Sequence, residues 1–454
     1  MVMVADLVPQ LKRWTSGVPL SDCGRLLVLR VVVAFLMHAG RMSCLQAAGA
    51  VRCEARHRAQ ISRFLARPRW KKLNINSILR QKLLERQVRD GRFIFIIDAT
   101  LVSQAGKKTE NTYSTGNHQR RPRKRRRYGK QKHNRRSCHS FTMGLLITPS
   151  GIRIPFSKPY HTRDHCKKNG LSHRTTAEAA AELVRELPLP EGASVVVLGD
   201  TAYDADVVRD ACQSRCFSWI FPCNPERVLA GPKGQRPKVR SLMKDWSKWS
   251  RQTVRLAPGQ GEYVVYRRLS PHRIGPKAKP RTYYVHEERR RVQSVGEIRL
   301  VFSTKKQNLK TATPDDIKIL MTNDSQLSIR DVVELYSVRW QIELFFKELK
   351  STLGFHQYQF QKFEPVEGWV EMVLMSFLYL EWYRMQQLSR RDLSSDAKRW
   401  WQHQRTYGIC QAIRMKSEQN EMNYIAECLE TPGGIRKLKR LIRNSFPYEY
   451  RPAV

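Results

Sequence analysis

Arg92-Phe-Ile-Phe-Ile-Ile-Asp98 is an uninterrupted apolar run closed by a carboxylate. A run of this length reads as a strand buried on both faces, as in sheets covered by helices. Ala193-Ser-Val-Val-Val-Leu-Gly-Asp200 repeats the pattern, and a carboxylate again follows. Between the two, SFTMGLLI (140–147) and GIRIPF (151–156) meet at Thr148-Pro-Ser-Gly151, a predicted hairpin. An Ala- and Glu-rich helix is expected from Thr175 to Leu187. A second follows from Ala205 to Ser214, and CFSWIF (216–221) is a further strand. The order strand, strand, strand, helix, strand, helix, strand predicts an α/β (α+β) fold, a mixed sheet flanked by helices.

Outward from this core the character changes twice. Residues 1–88 read as helical, with apolar positions at helical spacing in Leu7, Leu11 and Trp14, and in Leu27, Val31 and Phe35. Ser43 to Trp70 reads as two short helices. RAQISRFLARPRW (58–70) puts Ile61, Phe64 and Leu65 on one face and arginines on the others. Two readings stand here: a helix-turn-helix-like DNA reader, or a small bundle with a solvated basic face. From 224 to 325 the strands YVVYRRL, RTYYVHE and EIRLVFST alternate with turn-rich segments, a β-rich insertion. One helix is expected over 328–351 and a buried one from Val366 to Leu388. The chain therefore divides as 1–88, 89–223, 224–325, 326–390 and a helical, basic region 391–454.

The 454 residues carry 82 Lys and Arg against 40 Asp and Glu, a formal charge of +42. A chain this basic repels itself unless a polyanion neutralises it, and nucleic acid is the commonest one. A membrane surface is the competing partner, but no long amphipathic basic helix stands out. The longest apolar run, Leu26 to Met37, contains Arg30 and is too short to span a bilayer. No secretory leader is recognisable, so a cytoplasmic, nucleoid-associated protein is expected. The ten cysteines are scattered. Cys212, Cys216 and Cys223 fit no zinc knuckle, and His161, His165 and Cys166 lack a second ligand pair. The densest charge is HQRRPRKRRRYGKQKHNRR (118–136), within a stretch from Asn111 to Arg163 that holds no acid. A solubilising tail seldom sits between two core strands. Arg123, Lys124, Arg125, Arg126, Arg127, Lys130 and Lys132 are therefore expected to clamp DNA phosphates.

Two close carboxylates resist joint ionisation. A divalent cation resolves the conflict, and hard oxygen ligands suit Mg²⁺ or Mn²⁺. Asp at a strand end is common, so the pair alone decides little. In the helix over 328–351, Tyr336, Arg339, Glu343, Lys347 and Lys350 recur at spacings that share one arc. By spacing alone this is also an ordinary ladder of i,i+4 ion pairs on a solvated face.

Tyr336-x2-Arg339-x3-Glu343-x6-Lys350 resembles the Y-R-E-K signature of a large group of bacterial insertion-sequence DDE transposases. YSVRWQIELFFKELKSTLG (336–354) is similar to that group throughout, and IIDAT and LGDTAYD resemble its two aspartate blocks. The resemblance covers roughly residues 1–390. It implies a ribonuclease H-like core in which Asp98, Asp200 and Glu343 converge as catalytic metal ligands. Two Mg²⁺ ions, or Mn²⁺ in their place, would be held with Asp98 bridging. It also implies that Tyr336, Arg339, Lys347 and Lys350 bind the DNA backbone. The partners are then double-stranded transposon-end and target DNA and, in the complex, a second copy of the chain, with 391–454 as the candidate dimer region. Trp246, Trp249 and Tyr283 are candidates to stack on an unpaired base. Two alternatives stay open: a catalytically silent DNA-binding derivative, and a ribonuclease H-like nuclease of another purpose.

Overall fold

A computed structural model describes the chain except residues 1–6, 39–41, 51–55, 67–72, 88–89, 105, 107, 116–135, 232–235, 244–245, 247–248, 257–280, 309–311 and 439–454. The basic loop residues Arg123, Lys124, Arg125, Arg126, Arg127, Lys130 and Lys132 and the expected strand YVVYRRL lie outside the described residues.

Five helices come first: α1 (Leu7–Trp14), α2 (Asp22–Met37), α3 (Cys44–Ala50), α4 (Arg56–Ala66) and α5 (Ile75–Leu84). The apolar run at 92–97 then opens β1 (Phe93–Gln104), followed by β2 (Tyr113–Thr115), β3 (Arg136–Ile147) and β4 (Arg153–Pro159). The predicted hairpin joins β3 to β4. Thr148 N–H donates to Ile152 O, Gly151 N–H closes on Thr148 O, and Gly151 supplies the φ of 79° that the turn needs. Helices α6 (Arg163–Asn169) and α7 (Thr176–Arg185) lead to β5 (Val195–Leu198), α8 (Asp206–Ser214) and β6 (Ser218–Pro222). A capping box between Thr175 and Glu178 fixes the start of α7.

Short helix α9 (Val239–Leu242) precedes β7 (Gln252–Leu256), β8 (Arg281–Val292), β9 (Gly296–Thr304) and β10 (Lys318–Thr322). These strands join the core by main-chain hydrogen bonds: β10 pairs antiparallel with β6, and β9, β8 and β7 continue outward. One ten-stranded mixed sheet results, in the order β2-β3-β1-β5-β6-β10-β9-β8-β7, with β4 also on β3. β1, β5 and β6 run parallel, as buried runs flanked by helices should.

The chain closes with α10 (Ile329–Val338), α11 (Gln341–Thr352), α12 (Phe363–Leu388), α13 (Ser395–His403) and α14 (Thr406–Glu430). Helix α12 is apolar around most of its circumference and is buried as that pattern demands. It lies between the N-terminal helices and the sheet, touching α2, α4, α5 and β4. Trp14 meets Tyr379 edge-on at 5.4 Å, and Phe35 meets Trp369 at 5.0 Å. Gly368 lets α12 approach α4 closely, since a Cβ there would lie 2.7 Å from Leu65 O. The apolar core therefore runs without a break from the first helices through α12 into the sheet. Among the described residues no helix is long and apolar enough to cross a membrane.

Candidate active site

In the parallel pair β1 and β5, Ile96 stands opposite Leu198. Asp98 and Asp200 each follow two residues later. The two carboxylates are near enough for the charge of Asp200 to bear on Asp98. One expectation needs correction: β1 does not end at Asp98. Its pairing with β3 continues through Gln104, so Asp98 lies within the strand, opposite Met143. The apolar run stops there because only β3 accompanies β1 beyond the end of β5. The Asp98 carboxylate accepts the Ala99 N–H at 2.7 Å. Asp200 caps the short turn Thr201–Tyr203 and accepts the Ala202 N–H at 2.9 Å. Gly199 before it sits in tight quarters: a Cβ would lie 3.0 Å from both Phe221 and Tyr203, which would have to give way.

Glu343 is on the first turn of α11, and the helix expected over 328–351 is two helices. Around the join, Arg339 N–H donates to Tyr336 O, Ile342 N–H to Arg339 O and Glu343 N–H to Trp340 O, each three residues back. Such a tightened turn changes the dihedrals little and leaves side-chain spacing nearly intact, which is why periodicity did not reveal it. Arg339, at the join, reaches two of the acids. Its Nη1 lies 3.6 Å from Asp98 Oδ2 and its Nη2 2.9 Å from Glu343 Oε1. One guanidinium thus links the strand carboxylate to the helix carboxylate.

Burial first, then the charges of Asp200 and Glu343, push the Asp98 carboxyl up to about 6, against the Ala99 hydrogen bond and Arg339. The folded chain therefore keeps a proton on Asp98 where the unfolded chain has lost it. The stability due to this group is present at low pH and is lost as pH rises through about 6. With chelator present, wild type should lose about 1 kcal/mol of stability relative to Asp98→Asn between pH 5 and pH 7. Chemical unfolding at the two pH values measures this, and a constant difference would refute the buried, repelled state of Asp98.

Lys350 Nζ donates to Leu101 O at 3.1 Å, tying α11 to β1. Lys347 faces solvent. Tyr336 is buried, with the Lys318 ammonium 4.4 Å over its ring and its hydroxyl pushed up to about 12 by burial. Two neighbours were not singled out from sequence. Tyr203 is buried beside Asp98 and Asp200, and burial followed by those two charges pushes its hydroxyl pKa up. Asp204, in the same LGDTAYD block, is held by Arg209 and Arg227 and so anchors the loop below Asp200. Both could have been suspected only from lying in a block that already held a candidate ligand.

The donor chemistry suits hard divalent cations: three carboxylates, mutually repelling, with a guanidinium already drawn between two of them. Among the described residues, however, no group of three or more His, Cys, Asp or Glu is gathered at metal-ligand spacing. This includes the histidine and cysteine groups. His161 stacks on His165 at 5.3 Å, and the Cys212 and Cys223 thiols are pushed up to about 12 by burial. Trp249 stacks on His286 at 4.4 Å and packs on Phe302, within the β7–β9 layer.

Comparison with known protein families matches residues 162–379 to a transposase DDE domain, a span holding Asp200 and Glu343. Residues 24–255, just over half of the chain, match the DDE superfamily endonuclease model, a span holding Asp98 and Asp200. No curated protein matches the chain. With both matches converging on one superfamily, and one of them spanning over half of the chain, the chain belongs to the DDE superfamily of transposases and endonucleases.

Proposed function

We propose that the chain is a DNA transposase of the Y-R-E-K group, cutting transposon ends and joining them to target DNA by metal-dependent phosphoryl transfer. The observation that supports this reading is that Ile96 stands opposite Leu198 in a parallel strand pair, with Asp98 and Asp200 each two residues farther along the chain, while Arg339 reaches both Asp98 and Glu343. Asp98, Asp200 and Glu343 would hold two Mg²⁺ ions, with Mn²⁺ as a substitute and Asp98 between the other two acids. Bound there, the ions would supply Lewis-acid charge for activating water or a 3′-hydroxyl and for stabilising the leaving oxygen.

The chain's own residues do the rest. Arg339, Lys347 and Lys350 lie along the stretch that carries Glu343, so they reach the phosphates that flank the scissile bond. Tyr336, beneath Lys318, holds the base of that stretch against the sheet. The Arg- and Lys-rich segment 118–136, which follows β2 in the chain, adds phosphate contacts. Two ends must be cut together, so a homodimer on double-stranded DNA is the working unit.

The test is incubation with Mg²⁺ and DNA carrying the inverted repeats that flank the reading frame. Cleavage at the repeat ends and joining to a second DNA are expected. Hydrolysis without preference for those ends would instead favour a nuclease. Separately, Arg339→Ala or Lys350→Ala should weaken end binding and reduce the slope of log affinity against log salt by about one. A slope equal to that of wild type in both variants would remove the phosphate-holding role.

A further inference from the structure

The back of the glutamate helix is held by charges from distant parts of the chain. On α11, Gln341 and Glu348 are seven residues apart and share one face, while Glu343 is rotated about 200° from Gln341 and faces the other way. Burial follows this division: the Glu348 side chain is 10% exposed, whereas the Glu343 side chain is 35% exposed.

Arg405, just before α14, grips that back face at two points. Its Nη1 donates to Glu348 Oε1 at 2.8 Å and its Nη2 to Gln341 Oε1 at 3.0 Å. Thr406, the first residue of α14, donates its hydroxyl to Glu348 Oε2 at 2.6 Å. The same oxygen accepts Arg153 Nη1 from β4 at 2.9 Å. Farther along α14, Arg414 donates to the carbonyls of Leu36 and His38 at the end of α2. Helix α14 therefore ties the glutamate helix to the N-terminal helices.

A carboxylate that must meet two strand aspartates has to be fixed within a fraction of an ångström, and its own contacts with Arg339 do not fix the helix beneath it. Besides the Lys350 bond to Leu101 O on the front, a buried charged attachment lies on the opposite face. We propose that Arg405 and Thr406 are positioning residues for Glu343, clamping the back of α11 so that its front holds the third acid against Asp98. Region 391–454 then takes part in assembling the active site, whatever its role between copies. This rests on the proposed role of Glu343.

The test compares Thr406→Val, which removes the hydroxyl at nearly constant volume, with Thr406→Ser, which keeps it, and with Arg405→Ala. Single-turnover cleavage at saturating end DNA should fall about 10–100-fold in Thr406→Val and Arg405→Ala, the range for groups that orient ligands. End-DNA affinity and its salt slope should match wild type, Thr406→Ser should restore the rate, and Mn²⁺ bound to the DNA complex, read by electron paramagnetic resonance, should weaken in step. Should Arg405→Ala not fold, the Thr406 pair alone decides. The proposal is overturned if folded Thr406→Val cleaves and binds Mn²⁺ as wild type does, or if it loses DNA affinity and cleavage in parallel, the mark of a general structural role. Glu343→Ala run alongside separates the two claims: if it cleaves normally, the proposed role of Glu343 itself is wrong.

Discussion

Asp98→Ala should cut end-containing DNA at least on the order of 10³-fold more slowly than wild type in Mg²⁺, with end-DNA affinity unchanged. Asp98 feels the charges of both other acids, and Arg339 links it to Glu343. Removing it deletes the one carboxylate that both would share. DNA affinity should survive, because phosphate contacts come from Lys and Arg and removing a negative charge does not weaken them. Asp200→Ala and Glu343→Ala should behave alike, and combining either with Asp98→Ala should add little, since groups acting as one unit are not additive. Single-turnover rates on a labelled end fragment, with binding measured in parallel, check this. A rate within tenfold of wild type for Asp98→Ala would refute the metal assignment.

Arg153→Met should destabilise the protein by about 3–5 kcal/mol, the cost of leaving buried carboxylates without their partner. Arg153 donates to Glu381 through Nε at 3.0 Å and Nη2 at 2.8 Å and to Glu348 through Nη1 at 2.9 Å. Glu381 is 1% exposed. Burial alone would raise both acids. Arg153, with Arg405 at Glu348 and Arg384 at Glu381, outweighs it and holds both below the ordinary glutamate range. Groups depressed in this way add stability above their unfolded pKa and lose it as pH falls through the folded value. The gap between wild type and Arg153→Met should therefore be widest near neutral pH and close only at pH values below the ordinary glutamate range. Adding Glu348→Gln and Glu381→Gln should recover much of the loss. Denaturant unfolding across pH measures it, and a loss under 1 kcal/mol at pH 7 would show that the network is not a buried unit.

Much of this architecture was legible in the sequence because the decisive elements are local. Apolar runs at 93–97 and 195–198 can bury only as strands, Gly151 marks a turn, and the all-round apolar character of 363–388 requires a helix enclosed by other elements. The opposition of Ile96 to Leu198, which brings the two aspartates near each other, was not legible, because strand neighbours are set by tertiary packing. For the same reason, periodicity did not show that β7–β10 extend the central sheet, since a strand reads alike in a sheet of its own and at the margin of another.

The Y-R-E-K spacing located Glu343, yet it did not show that Arg339 closes on Asp98 or that the helix changes pitch between Tyr336 and Glu343. Least visible was the attachment of α11 through Gln341 and Glu348. Arg153 and Arg405 are separated from Glu348 by 195 and 57 residues, and in a chain with 82 basic residues two particular arginines carry no mark of their own.

The most direct test of a shared three-acid site is a Mn²⁺ titration of the DNA-bound protein followed by electron paramagnetic resonance, which needs no turnover. Wild type is expected to take up two spin-coupled ions, while Asp98→Ala, Asp200→Ala and Glu343→Ala each lose the coupled signal. Retention of the wild-type signal by any one of the three would contradict the claim that these carboxylates hold the ions together.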